Sequence, residues 1–240
     1  MVQINSWKSR NPLDILTSDG DFDIICVQEP HHNEALNARD FPDYALIYPD
    51  AHEKHRVSVF VKLASIHPSC ICPRPDLSQD GDILVIEFTF GSIKITLINL
   101  YNDCVTRAGV KSLRFALPRL DPRSKILVAL DSNSHHPHWD LLTKTPTREE
   151  DFELHDTFIT NGLVLVTPPD IPTHTSGNVI DLGFCSTSLF MAITATVDPS
   201  LCVGSDHLPI IYTLDFEVKI SKSIKFNSDK MDLDSYLGTL

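Results

Sequence analysis

Residues 82–103 read DILVIEFTFGSIKITLINLYND, and the architecture follows from this stretch. Residues 82–90 and 92–100 are two β-rich runs split by Gly91, which predicts a hairpin. The second run ends abruptly in Tyr101, Asn102 and Asp103. The same shape recurs outward along the chain. Gln3-Ile4 ends in Asn5, residues 24–28 end in Glu29, and residues 125–130 end in Asp131-Ser132-Asn133. Asp181 sits in Val-Ile-Asp-Leu-Gly-Phe, and Ser205-Asp206-His207 precedes a strand expected over 209–218. Val57, Val59 and Val61 alternate as another strand. Aligned strands would set these polar tips along one rim. Such a rim suits a divalent cation, because hard cations take oxygen ligands.

Helical signals are fewer. They predict helices near 12–17, over 107–117, and over 149–161, the last burying Phe152, Leu154 and Phe158 before Gly162. Many strands with a few helices between them predict packed sheets covered by helices. Apolar residues make up 42% of the 240 and charged residues 22%, enough to bury a sizeable core. The net charge of −12 argues against gripping nucleic acid through bulk positive charge. It leaves room for an enzyme that gathers carboxylates around a metal and touches DNA locally. No apolar stretch approaches 18 residues and no signal peptide is evident, so no membrane partner is expected. Cys26, Cys70, Cys72, Cys104, Cys185 and Cys202 form no Cys-x-x-Cys pair and are expected as reduced thiols.

The ordered set Gln28-Glu29, Asn99 to Tyr101, Asp131-x-Asn133, Ile180-Asp181 and Ser205-Asp206-His207 resembles the endonuclease/exonuclease/phosphatase superfamily over roughly residues 1–216. Val27-Gln28-Glu29-Pro30, Ser132-Asn133-Ser134-His135-His136-Pro137-His138-Trp139 and Pro172-Thr173-His174 ahead of Val179-Ile180-Asp181-Leu182 look like the endonuclease domain of non-LTR retrotransposons. The resemblance implies an α/β four-layer sandwich, DNase-like, with two packed β-sheets flanked by helices. It also implies a magnesium-dependent DNA endonuclease, with manganese as an alternative ion, acting as a monomer. The Lys/Ser/Asp-rich tail over 217–240, with a short helix expected over 229–237, looks like a linker toward a reverse transcriptase in a longer parent protein. An element of this kind needs intracellular access to the nucleus.

By the same resemblance, Glu29 is the main metal ligand, assisted by Asn5 and Asp206. His207 is the general base or the positive group facing the phosphorane, with Asp181 orienting its ring. Asp131 and Asn133 position the attacking water and the phosphate oxygens. Tyr101 bonds the phosphate or helps the leaving group. Spacing alone sets Arg107, Lys111 and Arg114 on one helical face, as DNA phosphate contacts or as a merely solvated face, with Arg56 as a further candidate. His135, His136 and His138 lack spaced partners for zinc and are expected to wall the catalytic Asp and Asn, while His31-His32 read as surface loop.

The sequence departs from the family pattern at Leu130, where Gly is usual, and at Ser132, where Phe is usual. Leu130 bears on the pose of Asp131, and only four residues precede Asn5, which shortens the first strand. Two further functions stay open: a phosphatase or phosphodiesterase on small phosphate esters, which the net charge favours, and an inactive remnant.

Overall fold

The computed structural model describes residues 1–18, 21–31, 41–49, 55–142, 147–201 and 204–215. Side chains in a strand point alternately to its two faces, so each β-rich run feeds two different cores. β1 (Val2–Asn5), β2 (Ile24–Gln28), β3 (Tyr44–Ile47), β4 (Val57–Lys62), β11 (Ile193–Val197) and β12 (Ile210–Leu214) form one sheet in the order β11-β12-β1-β2-β4-β3. β5 (Ile71–Pro73), β6 (Ile83–Phe90), β7 (Ile93–Tyr101), β8 (Lys125–Asp131), β9 (Leu163–Leu165) and β10 (Asp181–Ser186) form the other, in the order β5-β6-β7-β8-β10-β9. Each sheet is mixed: β1 is parallel to β2, and β7 to β8, and the remaining neighbours are antiparallel.

Alternation sorts the side chains. Cys26, Val57, Val59, Leu84, Ile86, Leu97, Leu127 and Ala129 meet between the sheets. Ile98, Leu100, Val128, Leu130, Leu182 and Phe184 face outward to α2 (Ala108–Ala116) and α3 (Glu149–Thr160), against Val110, Leu113, Leu154 and Phe158. Val2, Ile4, Ile25 and Val27 face the other way, onto Leu13 and Leu16 of α1 (Asn11–Ser18). The expected two-sheet sandwich with outer helices is what the chain builds. The short helix α4 (Thr187–Phe190) follows β10.

The sheets are also joined by buried amides. Gln3 Nε2 donates to the Leu130 carbonyl at 2.8 Å, and Gln28 Nε2 donates to Asn99 Oδ1 at 2.6 Å. Asn99 Nδ2 donates to the carbonyls of Val27 and Ser58 at 3.0 and 2.9 Å. The Tyr212 hydroxyl donates to Gln3 Oε1 at 2.8 Å, and only glycine fits opposite it. A Cβ on Gly183 would lie 2.4 Å from that hydroxyl.

Some expectations need correction. Phe152 is half exposed, because α3 turns only Leu154 and Phe158 into the core. β3, β5, β9 and β11 were not expected from the sequence. β5 and β9 are three residues long, too short for a period to register. Cys26, Cys70, Cys72, Cys104 and Cys185 carry free thiols; Cys26 and Cys185 are packed in the core, whereas Cys72 and Cys104 are exposed. Cys202, His32 and the tail over 217–240 lie outside the described residues. No helix among the described residues is long and apolar enough to cross a membrane.

Asn99→Ala should lower stability by at least about 1–3 kcal/mol in urea unfolding, because it strands the Gln28 amide and two carbonyls away from water. A loss under about 0.5 kcal/mol, the range of neutral surface changes, would contradict a role in joining the sheets.

Candidate active site

β1, β2, β7 and β8 finish at one end of the sandwich, while β10 begins there and β12 begins just beyond it. The antiparallel pairings explain why tips that end some strands and begin others share a rim. Tyr101 lies opposite Asp131 in the β7–β8 register, and Asp131 lies opposite Asp181 in the β8–β10 register. Alternation points Gln3 and Asn5 inward, toward β8. Asn5 Nδ2 donates to Asp131 Oδ2 at 2.8 Å and to Glu29 Oε2 at 3.3 Å.

Glu29 needs an exception to the strand rule. Gln28 faces the inter-sheet belt, so a continued strand would aim Glu29 at α1. Instead Glu29 takes a left-handed φ of 45° and its carboxylate reaches Asn5. Its backbone is held on three sides: its N–H donates to the Arg56 carbonyl, and its carbonyl accepts from Ser6 Oγ and Lys8 N–H. Asn133 is left-handed too, at φ 44°, with its N–H on Asp131 Oδ1 and its amide donating to the Asn102 carbonyl. Unfavourable backbone at side chains of one site is strain retained by its surroundings.

His207 Nδ1 lies 2.8 Å from Asp181 Oδ2, and Ser205 Oγ anchors the loop by donating to the Asn5 carbonyl at 2.7 Å. Thr173 Oγ1 accepts from the backbone N–H groups of Ile180 and Asp181, which sets Asp181. Burial, with Asp181 next to it, pushes the Asp131 carboxyl up to about 7. Burial works against a charged His207, but Asp181, Asp131 and Asp206 outweigh it and raise the imidazole to about 9. The Tyr101 phenol is pushed up by burial and by Glu29 and Asp131, which keeps it protonated as a donor.

A family model described as endonuclease-reverse transcriptase matches residues 95–211. The structure is similar to the endonuclease domain of TRAS1, a telomere-specific non-LTR retrotransposon, with a TM-score of 0.74 at 18% identity, covering 90% of this chain and 98% of that one. It is also similar to the AP endonuclease LMAP from Leishmania major, with a TM-score of 0.67 at 17% identity, covering 89% and 87%. This is an endonuclease/exonuclease/phosphatase fold. The resemblance read from the sequence, including its retrotransposon branch, is borne out. No curated protein matches the sequence.

Within this endonuclease/exonuclease/phosphatase fold, Leu130 does not displace Asp131. Residues 127, 129 and 131 share the inner face of β8, so Leu130 points outward into the helix-side core and is fully buried. Asn5 is also firmly placed, at 1% exposure. Its amide oxygen accepts from Trp7 N–H at 2.8 Å, so it turns nitrogen rather than oxygen toward the carboxylates. It therefore spaces Glu29 from Asp131 instead of offering a metal ligand in this arrangement.

Asp206 does not join Glu29; it faces His174 and His207. Among the described residues, the two groups of three donors within 4.8 Å are Asp131–Asp181–His207 and His174–Asp206–His207. The buried Oδ1 of Asp181 has no hydrogen-bond partner. Crowded carboxylates, one orphaned oxygen and Glu29 at the edge fit a divalent cation at this rim.

The basic candidates separate. Arg56 is clamped by both Asp82 and Asp103 and lies over the Tyr101 ring at 4.9 Å, so its charge is used internally. Arg107 is not on the helical face with Lys111 and Arg114. It precedes α2 at a left-handed φ of 51° and donates to the Asn133 carbonyl at 2.7 Å. Lys111 and Arg114 are exposed on α2. The His cluster is packing: His136 stacks on His155 and contacts Trp139, and His138 Nδ1 meets His155 Nε2 at 2.9 Å. Sequence reasoning assigned no role to Thr173, His174 or Lys8. The first two lie in the quoted Pro-Thr-His motif; Lys8, 3.8 Å from Glu29 Oε1, gave no signal.

Leu130→Gly should cost roughly 3–5 kcal/mol by leaving a cavity against α2 and α3, read in chemical unfolding. The metal-free protein should melt at progressively lower temperature as pH rises from 5 to 9. Asp131 has a folded pKa of about 7, above its ordinary value near 4, so stability is lost as pH rises through 7. His207 has a folded value of about 9, above its ordinary value near 6.5, so its share is lost as pH rises through 9. Asp131→Asn should flatten the acid half of that curve in EDTA; an unchanged slope would contradict the assignment.

Proposed function

We propose that this chain is a divalent-metal-dependent endonuclease that hydrolyses DNA phosphodiester bonds, of the kind that nicks a retrotransposon target site. The observation that carries the reading is the convergence of Asn5, Glu29, Asp131, Asn133, Asp181 and His207 on one rim. Residues 1–216 form the catalytic unit in this reading, and 217–240 lead toward a reverse transcriptase in a longer parent.

Glu29 and Asp131 are the carboxylates that would hold the ion. Once bound, a magnesium-class cation supplies Lewis acidity at the scissile phosphate and offsets the charge developing there. Asp131 accepts a proton from the attacking water, and the Asn133 amide fixes a phosphate oxygen beside it. Asp181 holds Nδ1 of His207, so Nε2 presents the proton-handling or charge-stabilising face. Tyr101, protonated at neutral pH, donates to a phosphate oxygen. Lys111 and Arg114 offer exposed charge to flanking phosphates, whereas Arg56 and Arg107 hold the loops.

The experiment is nicking of supercoiled plasmid, beside release of phosphate from an inositol-phosphate panel, each with magnesium and with EDTA. Glu29→Ala should abolish metal-dependent nicking. His207→Ala should lower turnover by roughly 10²–10⁴-fold with little change in DNA affinity. Activity surviving both EDTA and His207→Ala would overturn the metal-hydrolase reading; phosphate release without nicking would replace DNA by a small ester.

A further inference from the structure

We propose that His174, Asp206 and His207 form a site for a borderline-soft divalent cation of the zinc class, and that filling it blocks hydrolysis. The inhibitory half rests on the nuclease reading; the binding half does not.

The frame is built before any ion arrives. His174 and His207 face each other across an isolated antiparallel bridge, closed by Leu208 N–H on the Thr173 carbonyl and Thr175 N–H on the Asp206 carbonyl. Their rings meet edge-on with centroids 4.9 Å apart. Nε2 of His174 lies 3.1 Å from Asp206 Oδ2, and Nε2 of His207 lies 3.8 Å from Asp206 Oδ1. That Oδ1 is buried and makes no hydrogen bond. One donor atom from each residue lies within 4.8 Å of the others.

The far side of the His207 ring is what a metal-binding histidine requires. Ligating imidazoles donate their other N–H to a second partner, which fixes the tautomer and the ring plane. His207 Nδ1 has Asp181 Oδ2 at 2.8 Å, and His174 Nδ1 has Ser176 Oγ at 2.6 Å. His207 can therefore carry hydrogen on Nδ1 and direct Nε2 at the carboxylate; Nδ1 of His174 accepts the Ser176 N–H at 3.1 Å, so a cation at its Nε2 takes the place of the proton there, which moves to Nδ1 and the Ser176 hydroxyl. Two imidazoles, one carboxylate and an open position make a donor set typical of catalytic zinc. The side chain of Asp206 is 39% exposed, which leaves an entry path and room for water.

Magnesium does not suit this set, because it prefers oxygen ligands. The oxygen-rich position at Glu29 thus differs from this one in chemistry, although His207 borders both groups of donors. A cation here occupies Nε2 of His207, the atom that the nuclease reading needs at the phosphate.

The test starts with the metal-stripped chain titrated with Zn²⁺ against a chromophoric chelator, and with Co²⁺ for its visible spectrum. One equivalent should bind, giving the intense bands of low-coordinate cobalt, and millimolar Mg²⁺ should not displace it. His174→Ala should weaken Zn²⁺ binding by at least the roughly 10–100-fold typical of losing an outer-shell partner. Ser176→Ala keeps all three ligands at an exposed position and should weaken binding by roughly tenfold. Glu29→Ala should leave Zn²⁺ affinity unchanged.

In magnesium-supported nicking, the Zn²⁺ inhibition midpoint of His174→Ala should rise in the same ratio as its binding constant. Unchanged Zn²⁺ affinity in both His174→Ala and Ser176→Ala overturns the site, as does affinity that follows His138→Ala instead. Binding that needs His174 in a chain that nicks no plasmid supports the site and removes only the nuclease reading.

Discussion

Two sheets with apolar inner faces could slide past one another with little loss of contact, and the buried amides of Gln3, Gln28 and Asn99 forbid it. An amide hydrogen bond has a direction and one register, and a one-residue slip would leave several polar groups unpaired in a dry interface. Gln3 reaches across to the carbonyl of Leu130, the residue before Asp131, while Gln28 is the residue before Glu29. The amide belt therefore lies directly under the rim. The distance from Asn5 to Asp131, 2.8 Å between amide and carboxylate, depends on that belt holding the sheets in register.

Above the belt, the rim concentrates negative charge and answers it with few cations. Arg56 is consumed by Asp82 and Asp103, and Arg107 is turned onto the Asn133 carbonyl. Within the cluster, His207 supplies positive charge: the carboxylates of Asp181, Asp131 and Asp206 keep its imidazole protonated, while burial and Asp181 make Asp131 ionise reluctantly. An added dication would change that balance from outside. The left-handed backbones at Glu29 and Asn133 serve the same end, because they aim side chains where regular strands could not.

The strands and their polar tips were legible because both signals are local: a period of two, and a polar residue where it stops. Asp131, Asp181 and His207 could be named from those ends. What was not legible depended on which segment lies across. Helical spacing put Arg107 in line with Lys111 and Arg114, but a left-handed turn before α2 sends it inward. The orientation of the Asn5 amide is set by Trp7 N–H, a contact no pattern announces. Leu130 read as a threat to Asp131 until the strand's alternation showed it facing the opposite core. His174 stood in a quoted motif with no role, because Asp206 lies 32 positions away and meets it only through the bridge between their loops.

The pairing of β1 with β12 has a consequence for how the site comes into being. β1 sits between β2 and β12, and Ser205 closes onto the carbonyl of Asn5 across 200 residues of chain. Contacts of such separation form late, since a long loop must close before they return any stabilisation. During synthesis, segments from the N-terminal side can collapse while the ribosome still holds the strand that brings His207. The rim is thus incomplete in every shorter nascent chain, and the full carboxylate–histidine cluster assembles in a single step, after the loop preceding β12 has left the ribosome.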